Sequence, residues 1–231
     1  MNRGFSHIDT WVFDLDNTLY PASCRLFDQI DVKIGAFVSQ LLKVDAVEAR
    51  LVQKAMFYKY GTTLRGLMIE HDVAPEDFLE FVHDIDHAPV PHDPGLDEAL
   101  HGLPGRKLIF TNGTVAHAEK VLARLGVTHH FGDIFDIVHS DYVPKPAIEP
   151  YRKFVAQTAI RPETSAMFED IARNLEAPSS LGMTTVLVTS PDNRDAHHLN
   201  GEGTPAYVDH VTDNLPGFLG GLVKLRQGAN P

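Results

Sequence analysis

Apolar positions follow two rhythms along this chain. Short, largely apolar runs recur at 11–16, 107–110, 134–138, 165–168 and 184–188. Runs of this length bounded by turn residues read as strands. Elsewhere apolar residues return at steps of three and four. Leu26, Ile30, Ile34, Phe37, Val38 and Leu41 make one such face, and Val47, Leu51, Ala55 and Tyr58 predict a second amphipathic helix. Asp45 with Glu48 resembles a capping box for that second helix, and Gly61 is a sensible stop. Leu64, Leu67, Met68 and His71 predict a third helix. Pro75, followed by Glu76 and Asp77, predicts the start of a fourth, running through Phe78, Leu79 and Val82.

Residues 22 to about 88 therefore hold four predicted helices and no convincing strand, a small bundle inserted between the first strand and the rest. Pro89, Pro91 and Pro94 mark the return. Beyond it strands and helices alternate, with Asp93 and Thr114 as helix caps and Gly126 as a stop. Helices are expected over 148–159, with Tyr151, Phe154 and Val155 inward, over 171–177, and over 214–225. Residues 1–10 read as a polar lead, 190–204 as a loop, and Tyr207-Val208 as a last edge strand. The predicted class is α/β, a three-layer Rossmann-like core with a mostly parallel sheet and an inserted all-helical cap. The expected division is 1–20 and 90–231 for the core and 21–89 for the cap.

Composition narrows the function classes. Net charge is −11, from 31 acidic and 20 basic residues, which argues against a nucleic-acid backbone binder. A small phosphate is still compatible, because a few local cations and backbone amides can hold it. The single Cys24 permits no internal disulfide, and there is no CxxC. No apolar stretch is long enough for a membrane span and the N-terminus lacks a signal-like run, so a cytoplasmic protein is expected.

The candidate chemistry gathers at strand exits. The first run leads into Asp14-Leu15-Asp16-Asn17-Thr18. If extension persists, Asp14 and Asp16 point the same way. Two carboxylates held that close repel, and a buried pair of this kind needs a shared proton or a cation. Thr111 and Asn112 follow the strand at 107–110. Lys145 lies between Pro144 and Pro146, which stiffen it, and Glu169-Asp170 follow the strand at 165–168. All would meet at the carboxyl edge of the sheet, where open α/β proteins bind ligands.

Those four motifs, DLDNT, IFTNG, VPKP and MFEDIARN, stand in the order found in the haloacid dehalogenase-like hydrolases, and the chain resembles that superfamily. The resemblance implies a magnesium-dependent phosphomonoester hydrolase working through an aspartyl-phosphate. It implies Asp14 as nucleophile and metal ligand, the Asp16 carbonyl and Asp170 as further Mg²⁺ ligands, and the Asp16 carboxyl as general acid and base. Thr111, Asn112 and Lys145 would hold phosphate oxygens. Asn174 could reach a metal-bound water or support the site. The combination of motifs with a helical cap most resembles the pyrimidine 5′-nucleotidase-like branch, implying a small phosphorylated metabolite, a nucleotide, as partner. Among cap aromatics and cations, Phe27, Tyr60 and Arg65 are the candidates to touch the leaving group, whereas Phe37 reads as helix core. Phosphoglycolate or a sugar phosphate is the alternative substrate. A haloacid dehalogenase would not need Asp16; a phosphotransferase or a non-catalytic binding protein on a retained fold is the remaining reading.

The chain has 13 histidines but no HExxH and no Cys/His ligand pair. His129-His130 and His197-His198 read as solvated loop residues, and His117 could touch substrate. Cys24 has no activating partner by spacing, and no GxSxG elbow, Walker loop or GxGxxG is present. The helical cap could serve as a homodimer face.

Overall fold

The computed structural model describes residues 4–192 and 203–228. Six strands form one sheet: β1 (Thr10–Phe13), β2 (Arg106–Phe110), β3 (Asp133–Phe135), β4 (Ser165–Glu169), β5 (Thr184–Val188) and β6 (His210–Thr212). Their order is β3-β2-β1-β4-β5-β6, and every pairing is parallel. β1 is central, and the chain leaves it towards β2 on one side and β4 on the other. That reversal is the switch point at which a crevice opens above the strand ends.

Burial on both faces explains the continuous apolar runs. Trp11 and Phe13 point to one side, against α5 (Pro94–Gly102), α6 (Val115–Leu125) and α9 (Leu215–Gly228) through Leu96, Leu100, Val121, Leu122 and Leu219. Val12 points to the other, with Leu108, Phe110 and Met167, against Tyr151 and Phe154 of α7 (Ile148–Thr158) and Ala177 of α8 (Glu176–Leu181). All four β1 residues are buried, so each contributes about 1.5–3 kcal/mol where it is a large apolar side chain.

Four helices fill the insertion: α1 (Leu26–Leu42), α2 (Ala46–Tyr60), α3 (Thr63–His71) and α4 (Pro75–His83). They have a core of their own around Ile30, Val38, Met56, Leu67, Phe78 and Val82. Phe37 belongs to it, edge-on to Phe78 and Phe81. Asp45 caps α2 by accepting from the Val47 and Glu48 amides. The bundle sits down on the core at Gly61, whose φ of 88° is left-handed. A Cβ there would stand 3.1 Å from Pro144 and 3.4 Å from the Lys145 carbonyl, so glycine permits the approach. Arg173 of the core adds a cation over the Phe57 ring at 4.5 Å.

Several expectations are corrected. The inward face of α2 is Ala49, Gln53 and Met56, while Val47, Leu51 and Tyr58 are exposed at 72%, 68% and 55%. Apolar residues recur on two faces of this helix, and only packing shows which one is covered. β3 stops at Phe135 rather than 138, because the Asp136 carboxylate accepts from the Val138 and His139 amides and turns the chain. The edge strand is His210–Thr212, not Tyr207-Val208. The Tyr207 carbonyl instead accepts the Thr185 hydroxyl at 2.7 Å. Within the lead, Ile8 is buried and Phe5 packs on Trp11. Most of the expected 190–204 loop, including His197-His198, lies outside the described residues.

Candidate active site at the carboxyl edge of the sheet

Asp14, Thr111 and Asp170 are each placed by the strand that ends just before them. The Asp14 amide donates to the Phe168 carbonyl at 2.9 Å, which continues the ladder to β4 for one step past β1. The chain then turns over Leu15, with Asn17 at φ 59°, a left-handed position that asparagine tolerates. The turn brings Thr18 back, and its hydroxyl donates to Asp14 Oδ2 at 3.2 Å. It also lies 3.5 Å from Asp170 Oδ1.

Lys145 is buried and spends all three ammonium protons on the site. Its Nζ donates to Asp14 Oδ1 at 2.6 Å, Glu169 Oε1 at 2.8 Å and the Phe110 carbonyl at 3.0 Å. Burial alone would push this ammonium down, but Asp14 and Glu169 outweigh it and hold it above the usual lysine range. Burial raises the Asp14 carboxyl, Lys145 opposes that, and Glu169 and Asp16 add to the rise. Thr111, also buried, accepts from the Gly113 amide at 2.9 Å. Asn112 does more than lend an amide, because its side chain holds the Lys145 main chain from both sides.

Asp16 faces differently from Asp14. Both of its hydrogen bonds fall on Oδ1, from the Tyr20 hydroxyl at 2.5 Å and from His117 Nε2 at 2.9 Å. Burial pushes its carboxyl up, but His117 and Tyr20 prevail and hold it below the usual range. His117 itself does not line the cavity as expected; it is buried behind Asp16.

Asp14, Glu169 and Asp170 offer ligand atoms within 4.8 Å of one another, all buried. With Asp16 they set four carboxylates against Lys145, a charge excess that suits a hard divalent cation with oxygen ligands. Asn174 gives a second reason. Its Nδ2 donates to Glu169 Oε1 at 2.6 Å, while its buried Oδ1 has no partner among the described residues, and Asn174 lines the same cavity. An acceptor left over beside an acidic cluster fits a metal-bound water. The residues present therefore fit magnesium, which Asp14 and Asp170 would hold through side-chain oxygens.

Above these groups lies a cavity of about 160 Å³ roofed by the helical insertion. Its roof is largely apolar, with Phe27, Ile30, Ile34, Phe57, Phe78 and Leu79, interrupted by Asp31, Gln53 and Lys54. Phe27 is thus placed in the wall. Tyr60 and Arg65 are not. The Tyr60 hydroxyl donates to Glu70 at 2.5 Å, and Tyr60 packs over Gly66 of α3, which turns it away.

Three groups escaped sequence reasoning. Glu169, treated only as the neighbour of Asp170, is the second anchor of Lys145. Asp31, Gln53 and Lys54 form a polar spot in the roof, with Gln53 Nε2 donating to Asp31 Oδ1 at 2.7 Å. His83 and His87 reach His117 from the insertion. His83 ends α4 and His87 lies four residues further on, outside any helix. His130 is also not solvated: it is half-buried and bonds Asp97 at 2.8 Å, while His129 stays exposed.

A carboxylate-bearing turn after the central strand, a lysine from the β3–α7 connection and an acidic pair after β4 define a class. Residues 8–182 match the haloacid dehalogenase-like hydrolase family, and the chain belongs to it. It is similar to Phosphate metabolism protein 8 of Saccharomyces cerevisiae, 26% identical over 193 residues. That match covers 76% of this chain and 60% of the yeast protein, so the chain spans less than two thirds of that relative's length. Among solved structures, it is similar to CbbY from Rhodobacter sphaeroides in complex with phosphate. The TM-score is 0.62 at 16% identity, over 93% of this chain and 96% of that one. It is also similar to L-2-haloacid dehalogenase from Xanthobacter autotrophicus, with TM-score 0.56 at 17% identity, over 96% and 99%. At these identities the two structures bear on the fold alone. No helix among the described residues is long and apolar enough to cross a membrane.

Proposed function

We propose that this hydrolase cleaves phosphomonoesters through an aspartyl-phosphate on Asp14, with Mg²⁺, and that a pyrimidine nucleoside 5′-monophosphate is its best candidate substrate. The observation that carries the reading is the buried trio Asp14, Glu169 and Asp170 around Lys145, with Asp16 beside it in the same cavity wall. A dehalogenase needs the attacking carboxylate but neither the cation cluster nor a second aspartate to protonate a leaving group.

In this reading the Asp14 carboxylate attacks phosphorus, forming an Oδ–P bond as the bond to the leaving oxygen breaks. Asp16 in its protonated form gives that oxygen a proton and is left as the carboxylate that His117 and Tyr20 hydrogen-bond. Water then attacks phosphorus, Asp16 takes its proton, and the bond to Asp14 breaks. Lys145 holds Asp14 in place and offsets negative charge on the transferring group. Thr111 and the amides around Asn112 orient phosphate oxygens. A magnesium ion held by Asp14, the Asp16 carbonyl and Asp170 would keep Asp14 ionised and draw charge from the phosphoryl oxygens.

The roof supports a nucleoside over a sugar. Apolar and aromatic walls suit a planar base, whereas the hydroxyls of a sugar phosphate would be desolvated there without partners. Asp31, Gln53 and Lys54 are the polar groups that would meet a base edge. Preference for pyrimidines rests on the sequence resemblance, and the yeast relative's name, Phosphate metabolism protein 8, agrees with phosphate chemistry.

The test is phosphate release with magnesium across UMP, CMP, dTMP, AMP, GMP, phosphoglycolate and several sugar phosphates. A hundredfold preference for phosphoglycolate or a sugar phosphate over every pyrimidine nucleotide discards the nucleotidase reading and leaves the phosphatase mechanism standing. Asp14→Asn should fold and lose nearly all turnover; retention of more than a tenth of kcat removes Asp14 as nucleophile.

A further inference from the structure

Three histidines stand in a row behind Asp16, and the mechanism above uses none of them. His117 comes from the first turn of α6 and is buried. Its Nε2 lies 2.9 Å from Asp16 Oδ1, and its Nδ1 lies 3.1 Å from His87 Nε2. The His83 ring stacks on it, with centroids 4.7 Å apart and planes within 19°. Gly113 makes room for this packing, since a Cβ there would press on His117 Cδ2 and Thr111 Oγ1 at 3.3 Å.

Asp16 Oδ1, an acceptor, takes the His117 Nε2–H, and His117 Nδ1 and His87 Nε2 share one proton between them. Burial and the neighbouring His117 lower His87, and the same two causes bring His83 down to about 4, so both are neutral partners near pH 7. The donors from Tyr20 and His117 both land on Asp16 Oδ1. Oδ2 receives no hydrogen bond among the described residues, and Asp16 lines the cavity.

We propose that His117 is a positioning residue for acid–base transfer: with Tyr20 it pins Asp16 Oδ1 and so presents Oδ2 to the leaving oxygen, while His87 holds the other nitrogen of the His117 ring. This rests on the reading of Asp16 as the acid and base. It adds a chain, His87 to His117 to Asp16, that joins the end of the helical insertion to the reacting group.

The experiment compares phenyl phosphate with p-nitrophenyl phosphate in the full-length enzyme with magnesium. The two substrates have nearly the same shape, but p-nitrophenolate departs without a proton and phenolate leaves far better with one. Because kcat/KM reports only steps through the first phosphoryl transfer, it isolates the acid role. General acid catalysis is worth about 10²–10⁴-fold, so Asp16→Ala should lower kcat/KM by about that much for phenyl phosphate and by much less for p-nitrophenyl phosphate. His117→Ala should show the same selective pattern with a loss of at least about tenfold. His87→Ala should show a smaller one, and His117→Gln, which keeps a donor, should recover part of the loss. Equal losses on both substrates, or none on either, overturn the positioning role. Should His117→Ala fail to fold, His117→Gln and His87→Ala carry the same comparison. If Asp16→Ala itself shows no leaving-group selectivity, the reading of Asp16 fails instead, and the two failures are told apart.

Discussion

The side chain of Asn112 grips Lys145 by its main chain. Its Oδ1 accepts from the Lys145 amide at 2.9 Å, and its Nδ2 reaches the Lys145 carbonyl at 3.4 Å. The second residue after β2 thus sets where the β3–α7 connection presents its lysine. Asn112→Ala leaves a half-buried amide without its partner and frees the loop. A misplacement on the order of 1 Å can cost about 10²-fold in rate, so kcat/KM should fall by roughly 10- to 100-fold. Steady-state kinetics beside a melting curve separate this from unfolding; an unchanged kcat/KM would show that Pro144 and Pro146 suffice to hold Lys145.

Magnesium should stabilise the folded chain as well as support turnover. A ligand that binds only the folded state adds about 2.7 kcal/mol at a hundred times its dissociation constant. Titration with Mg²⁺ should raise Tm, and Asp170→Asn should abolish most of the rise. Exhaustive chelation should remove activity, and full activity after chelation would refute the metal site.

The cavity wall makes a division among the candidate residues of the insertion. Phe27→Ala and Phe57→Ala should raise KM several-fold, because both rings line the roof. Tyr60→Phe and Arg65→Ala should leave KM and kcat within about twofold, because neither side chain lines the cavity. A larger effect of Arg65→Ala on KM would show that the roof rearranges around substrate.

Helix α2 offers a stability contrast. Met56 is buried and Leu51 is 68% exposed. Met56→Ala should cost about 2–5 kcal/mol in chemical denaturation, whereas Leu51→Lys should stay within about 0.5 kcal/mol. A large loss from Leu51→Lys that depends on protein concentration would instead reveal a second copy covering that face.

Acid should weaken the protein partly through His83. Burial and the nearby His117 lower its pKa from the ordinary value of 6.5 to about 4 in the folded state. The unfolded chain binds this proton first. The contribution is therefore fully present above about pH 6.5 and is lost as pH falls towards 4, on the order of 3 kcal/mol in all. In His83→Gln the stability between pH 6.5 and 4 should fall less steeply than in the unaltered chain. Parallel slopes would assign the acid loss to other groups.

The sequence by itself determined the class of fold, the order of the motifs and their place at strand ends. Strand content was legible because buried parallel strands need continuous apolar runs, and Asp14, Thr111 and Asp170 each directly follow one, whereas Lys145 lies in the connection between β3 and α7. Caps at Asp45, Asp93 and Thr114 were legible because the bond from side chain to amide is local. The tertiary structure decided what depends on contacts between distant segments. Which face of α2 is buried follows from what α1 and α3 cover. Glu169 as an anchor of Lys145 follows from the pairing of β4 beside β1. The row His87, His117 and Asp16 spans 101 residues between its last two members and has no local signature. Tyr60 and Arg65 had suitable chemistry, but helix packing turned Tyr60 towards Glu70 and left both outside the cavity wall. A side chain's chemical type is written in the sequence; the direction it faces is set by the packing of elements that the sequence places far apart.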